Sequence, residues 1–214
     1  MKYEYSMEVA EGETTWVAFI VVDENANFAI TNPYWVGNTF PDVEFGDWFY
    51  DAVTALQAEG IINGMPDGTF APNETVTRAQ FATMIYRAMD GASANAGTEV
   101  SFTDVNADFW AAEAIYACAA EGIITGYPDG SFKPNANITR AEMAVMIYRA
   151  IGFDQMFDNL FTDVKPSSWY YNAVTILGGL GIVNGMGDGL FVPEATATRA
   201  QAAQIIYNAG PVAE

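Results

Sequence analysis

The sequence predicts a mainly α-helical chain: three helix–turn–helix units in tandem, preceded by a short β-rich segment. Three observations carry this. First, one pattern recurs three times in order: Phe-x-Asp-Val, a Trp, Gly-Ile-hydrophobic, Asp-Gly-x-Phe-x-Pro and Thr-Arg-Ala. The copies begin at Phe40, Phe102 and Phe161, and each reaches its Thr-Arg pair (Thr77-Arg78, Thr139-Arg140, Thr198-Arg199) 37 residues later. The starts lie 62 and then 59 residues apart, so every length change falls between units. Second, inside each unit apolar residues recur at helical spacing on both sides of a Gly-rich turn. Third, residues 1–39 are instead rich in β-branched and aromatic residues.

Taken in order, Thr14 to Val22 and Asn27 to Ile30 read as extended chain, with Asp23-Glu24-Asn25-Ala26 as the turn of a hairpin. Asn32-Pro33 closes it. A lone hairpin is marginal in water, so this segment either packs on the repeats or ends an upstream domain. The units are expected at 40–90, 102–152 and 161–210. The first helix of each runs Trp48 to Glu59, Trp110 to Glu121 and Trp169 to Leu180, with Phe49, Ala52, Val53 and Leu56 marking the apolar face of the first copy. Gly60, Gly122 and Gly181 stand where a left-handed C-terminal cap belongs. Short buried extended stretches follow at Ile61-Ile62, Ile123-Ile124 and Ile182-Val183. Asn63-Gly64, Thr125-Gly126 and Asn184-Gly185, then Asp67-Gly68, Asp129-Gly130 and Asp188-Gly189, are turn signals. Phe70, Phe132 and Phe191 then point into the core. The second helices open with capping boxes: Thr77 with Gln80, Thr139 with Glu142, Thr198 with Gln201. Residues 91–101 form a small-residue joint; the second joint, Phe153 to Leu160, is more apolar.

Composition narrows the function. The formal net charge is -19 and the chain has no His. Nucleic-acid binding needs basic surface to displace counterions, and docking on anionic lipid needs the same; both are excluded. Absence of His removes every His-based triad or acid–base pair. A pair of carboxylates in a glycosidase is the remaining enzymatic arrangement, but carboxylates repeated in three copies suit a symmetric scaffold better than one catalytic centre. The chain is therefore read as non-enzymatic. Cys118 is the single cysteine. It allows no intrachain disulfide and reads as a small buried hydrophobe. The Asp-x-Asp-x-Asp-Gly series of a calcium loop is missing, so no metal site or cofactor is predicted, although so acidic a surface leaves a structural calcium open. The longest apolar run, Trp16 to Val22, is too short to span a bilayer. Met1-Lys2-Tyr3-Glu4 lacks the apolar core of a signal peptide, so an extracellular role implies a mature form or a piece of something longer.

The threefold motif resembles the S-layer homology domain family, over Phe40 to Gly210. The resemblance implies one pseudo-threefold, three-lobed domain over 40–210, with one helix of each repeat near the axis and grooves between adjacent lobes. It implies non-covalent anchoring of an exported protein to bacterial cell-wall polysaccharide, in most relatives a secondary wall polymer with pyruvate ketals on an amino sugar, in some a modified peptidoglycan. The location implied is extracellular, at the cell wall or S-layer. The alternative is a self-assembling component of a layer or appendage, in which copies of the chain are the partners and glycan binding is weak or lost.

A pyruvate ketal shows a carboxylate on a partly apolar ring. Its recognition calls for a cation, hydrogen-bond donors and a flat apolar surface. The candidate glycan-binding residues are Arg78, Arg140 and Arg199, whose guanidinium groups match a carboxylate in a two-pronged fork. Each is expected at an exposed position in the first turn of a helix, where spare backbone N–H groups and the helix dipole also favour an anion. Trp48, Trp110 and Trp169 offer aromatic faces, and Gly64, Gly126 and Gly185 permit close backbone approach. On this reading Arg140→Ala weakens wall binding with little loss of stability. The competing reading pairs each Arg with Asp42, Asp104 or Asp163 as a structural ion pair and keeps the Trp residues in the core. The third repeat departs from the others at Gly187, Ala197 and Asn208, so its groove is expected to be altered.

Overall fold

The computed structural model describes residues 40–91 and 100–210, together with the backbone of 15–17, 20–22, 28–30 and 34–36. The chain divides into two units, Met1–Ala71 and Pro72–Glu214.

In the first unit, β1 (Thr15–Val17), β2 (Ile20–Val22), β3 (Phe28–Ile30) and β4 (Tyr34–Val36) form two antiparallel pairs. β2 pairs with β3 in the register Val22↔Phe28, the pairing expected of the hairpin. The anticipated turn at Asp23–Ala26 lies outside the described residues. β1 pairs with β4, which the sequence reading missed because it closed the segment at Asn32-Pro33. Helix α1 (Tyr50–Ala58) buries Ala52, Val53, Ala55 and Leu56. It begins two residues later than expected, and its N-cap Phe49 has no side chain able to accept from the first turn.

The C-terminal cap matches expectation and repeats in all three copies. The N–H of Ile61 donates to the Leu56 carbonyl and that of Gly60 to Gln57, with Gly60 at φ 72°. Gly122 and Ile123 bond back to Ala119 and Cys118, and Gly181 and Ile182 to Gly178 and Leu177, in the same way. This is the Schellman arrangement, in which a left-handed glycine ends the helix and swings the next apolar residue into the core.

The second unit holds α2 (Arg78–Ala88), α3 (Ala112–Ala120), α4 (Arg140–Ile151), α5 (Tyr171–Gly179) and α6 (Arg199–Asn208). α2 packs on α3, α4 on α5, and α2, α4 and α6 on one another. Phe81, Ile85, Ile115, Ile147, Ile176 and Leu177 are fully buried among them. The three capping boxes are all formed, with the Thr hydroxyl accepting from the N–H three residues on and that residue's side chain accepting from the Thr N–H.

Backbone hydrogen bonds close a ring around the three mutually packed helices. Ile138 N–H donates to Val76 O, Val76 N–H to Ala197 O, and Ala197 N–H to Ile138 O, at 3.0, 3.1 and 3.0 Å. One residue set further along, Arg78, Arg140 and Arg199 donate their N–H groups to Ala136, Ala195 and Glu74; Ala79, Ala141 and Ala200 donate to Pro134, Pro193 and Pro72. Each helix start is thus plugged by the post-proline stretch of another repeat. This is the pseudo-threefold closure expected of the unit.

The Phe-x-Asp-Val aspartates have a role the sequence reading did not foresee. Asp104 accepts from the N–H groups of Phe132 and Lys133, both at 2.8 Å. Asp163 does the same for Phe191 and Val192, and Asp42 for Phe70 and Ala71. The second residue of each pair (Ala71, Lys133, Val192) is left-handed, at φ 57°, 57° and 56°. Two successive N–H groups then converge on one point, and a carboxylate fills it. For Asp163 partial burial pushes the carboxyl up, but these N–H bonds outweigh it and hold the group below its ordinary value.

Candidate functional site

Within the second unit, residues of all three repeats line a cavity of about 480 Å³. Arg78 comes from the start of α2, Trp169 from the approach to α5, and the rest from the second repeat: the stretch Ile123 to Pro128 and the α4 side chains Glu142, Val145, Met146 and Arg149. Ile124, Val145 and Met146 are buried and give an apolar floor. Trp169 stands at the wall with 64% of its surface exposed, and Trp48 and Trp110 are exposed at 62% each. The core reading of the three Trp residues therefore does not hold.

Arg78 is not the exposed cation that a first-turn position suggested. It is 4% exposed, and Arg140 and Arg199 are 6% and 8% exposed. The Nε of Arg78 donates to Phe132 O at 2.8 Å, and its Nη1 lies 3.0 Å from Glu142 Oε1. Its guanidinium carbon sits 4.7 Å from the ring centres of both Tyr127 and Phe132. Tyr127 in turn donates its hydroxyl to Glu142 Oε1, while Oε2 accepts from the Thr139 N–H. Burial and the bond to Glu142 push the Tyr127 phenol up to about 12. One carboxylate thus completes a helix cap, holds a tyrosine and neutralises an arginine of the preceding repeat.

Arg140 is bound differently. Its Nε donates to Phe191 O at 2.8 Å and its Nη2 to Asn184 O at 2.7 Å, with the Phe191 ring centre 4.5 Å away. Gln201 occupies the repeat position of Glu142, and among the described residues no carboxylate salt bridge forms with Arg140; burial pulls its guanidinium below its ordinary value and the field of Asp163 partly restores it. The expectation that Arg140→Ala would spare stability is reversed by this burial and these bonds. Among the described residues no salt bridge joins Arg78 or Arg140 to Asp104 or Asp163, and Asp163 acts on Arg140 only through its field.

The spare N–H groups expected at the three helix starts are likewise occupied. The first two of each helix reach carbonyls of another repeat, and the third reaches the capping Thr hydroxyl. An anion finds no open dipole end there. The glycines also have a nearer reason for being glycine. A Cβ on Gly126, at φ 66°, would meet the Phe102 ring at 2.6 Å and Ser131 O at 2.9 Å. One on Gly64 would meet Phe40 at 2.5 Å, and one on Gly185 would meet Leu190 O at 2.8 Å. Gly126 lines the cavity all the same; Gly185 lies next to the Asn184 carbonyl that receives Arg140.

Three cavity residues escaped the sequence reading as functional: Tyr127, Glu142 and Arg149. Arg149, in the last turn of α4, is exposed and donates through Nη1 to Thr125 Oγ1 at 3.2 Å and to Ile123 O at 3.4 Å. Their signal was variation, since the three repeats carry Met65, Tyr127 and Met186 at one position and Arg87, Arg149 and Asn208 at another. Among the described residues no group of three or more His, Cys, Asp or Glu side chains is placed to hold a metal ion. Among them no helix is long and apolar enough to cross a membrane.

The family model described as S-layer homology domain matches residues 39–82, 101–144 and 160–203. The chain belongs to the S-layer homology domain family. An amylopullulanase of Thermoanaerobacterium thermosulfurigenes is 40% identical over 178 residues, 79% of this chain and 9% of that protein. A cellulosome-anchoring protein of Acetivibrio thermocellus is 32% identical over 81% of this chain and 38% of its own length. An S-layer protein of Bacillus licheniformis is 33% identical over 79% of this chain and 20% of its own length. The S-layer homology repeats thus correspond to a minor part of each of these relatives, which are by name an enzyme, an anchor and a layer protein.

Proposed function

We propose that this chain is a non-catalytic anchor that holds a surface protein to bacterial cell-wall polysaccharide, by binding an acidic, pyruvylated sugar in the cavity between Arg78 and Trp169. The observation that carries the reading is the cavity's composition. A flat exposed indole, an apolar floor and guanidinium groups meet at one place in a chain of net charge -19. At long range such a chain repels anions, so local cations facing an aromatic wall mark the spot where an anionic sugar is tolerated. Aromatic faces suit the apolar side of a sugar ring, and a guanidinium suits its carboxylate. That one relative is a cellulosome-anchoring protein and another an amylopullulanase supports a portable anchoring role, with catalysis residing elsewhere in the enzyme.

The test is co-sedimentation of the purified chain with bacterial wall sacculi, intact or chemically stripped of secondary polymer. Pelleting with intact sacculi and loss of pelleting with stripped ones is the expected result. Equal retention on both sinks the polymer-anchoring reading.

The relatives that are S-layer proteins favour a second reading, assembly of copies into a layer. Light scattering separates the two: a monodisperse monomer at high concentration fits the anchor, and growth into ordered sheets fits the layer.

A further inference from the structure

We infer that Arg149, and not Arg78, is the residue that binds the carboxylate of the ligand in this cavity. The inference rests on the anchoring reading above and specifies which cation does the recognising.

Arg78 has little left to offer. Its Nε is spent on Phe132 O, its Nη1 on Glu142, and its charge is answered by that carboxylate 3.0 Å away. A ligand carboxylate reaching for Arg78 meets Glu142 beside it, and at such similar distances repulsion offsets attraction. Lys133 is the other nearby cation. It lies over the Tyr127 ring, 4.1 Å from its centre, but it is not part of the cavity wall, and it is electrostatically coupled to Asp129.

Arg149 differs on each count. It is exposed, it lines the cavity, and among the described residues no carboxylate forms a salt bridge with it. Both of its hydrogen bonds use Nη1. They orient the guanidinium through the Thr125 hydroxyl and the Ile123 carbonyl, and they leave the Nη2 and Nε donors to serve a carboxylate as a two-pronged fork.

The third repeat supplies an independent comparison. Asn208 stands where Arg149 does, and its amide donates to Ile182 O at 3.1 Å, the counterpart of the Ile123 carbonyl. A neutral side chain therefore suffices for the bond that ties this helix to the extended stretch. The charge at Arg149 exceeds what the fold requires, and its position on the cavity wall assigns it to a ligand.

The test follows the indole N–H resonance of Trp169, assigned through Trp169→Phe, so that this cavity is read separately from any other groove. Two probes are titrated: the methyl glycoside of an N-acetylhexosamine bearing a 4,6-linked pyruvate ketal, and the carboxyl methyl ester of the same compound. The unaltered chain is expected to bind the acid about ten- to a hundredfold more tightly than the ester, the range of a hydrogen bond to a charged group. Arg149→Gln and Arg149→Asn, the latter copying the third repeat, are expected to bring that ratio to within about twofold at unchanged melting temperature. A ratio that survives both substitutions overturns the inference while leaving the anchor in place. So does a ratio that collapses in Lys133→Ala instead. If neither probe moves the Trp169 signal in the unaltered chain, the pyruvylated-sugar reading itself fails.

Discussion

Replacing Arg78 by alanine separates the structural share of this residue from any binding role. The substitution deletes the Nε bond to Phe132 O, the stacking between Tyr127 and Phe132, and the partner of Glu142. Glu142 then keeps its backbone and tyrosine donors but loses its cation. Removing one member of a buried ion pair costs about 3–5 kcal/mol, because the other charge stays behind uncompensated. Glu142 retains 15% exposure of its side chain, and water relieves part of that, so the lower end, about 3 kcal/mol, is the working figure. For a chain of this size that lowers the melting temperature by roughly 6–12 °C. Glu142→Gln is the control. It keeps the capping box, as Gln80 and Gln201 do in the sister repeats, and it leaves the guanidinium in surroundings like those of Arg140. Its cost should be about 1–2 kcal/mol. Urea denaturation followed by circular dichroism measures both. If Arg78→Ala costs less than about 1 kcal/mol, the charge pair is not the inter-repeat tie described here.

Arg140→Ala should destabilise by about 2–4 kcal/mol in the same assay, since two charge-assisted bonds to backbone carbonyls, of which that to Phe191 O is buried, are lost. A stability loss under about 1 kcal/mol would restore the view of Arg140 as a free ligand-binding cation. Tyr127 sets an alkaline limit. Its phenol is held at about 12 against an ordinary 10, so the folded state keeps a proton that the unfolded chain releases. That contribution is complete below pH 10 and disappears as the pH climbs through 12. In a spectrophotometric phenol titration, Tyr127→Phe should remove one late-ionising group and leave the earlier ones in place; an unchanged late phase would refute the assignment.

How far the sequence alone led depended on whether a feature is local. Helices, glycine caps, capping boxes and the threefold repeat were all readable, because Thr77 with Gln80 or Gly60 with Ile61 act within a few residues. The aspartate ties were not. Asp104 lies 28 residues from Phe132 in the chain, and nothing near Lys133 announces a left-handed backbone at a non-glycine residue. The burial of the three arginines was also hidden. A first-turn Arg faces solvent in a single helix, and for Arg78 and Arg140 it is the neighbouring repeat's Phe carbonyl and ring that close over it. The site suffered from a further bias. Comparing copies selects what three repeats share, which is mostly what folds them, and passes over Tyr127, which stands where the sister repeats have Met65 and Met186; the departure at Asn208 points to an altered third groove and does not by itself single out Arg149.

The circuit of backbone bonds joining Val76, Ile138 and Ala197 has a consequence for how such modules multiply. A solenoid leaves an open end at each terminus and accepts another unit at modest cost. Here the third donor, Ala197, returns to Ile138, the residue that donates the first bond, so a fourth copy has no vacant edge to join, and a pair would strand amides and carbonyls at the gap. On this geometry a further repeat added to the chain leaves its own edge unpaired unless it brings two more or borrows the missing partners from a second chain.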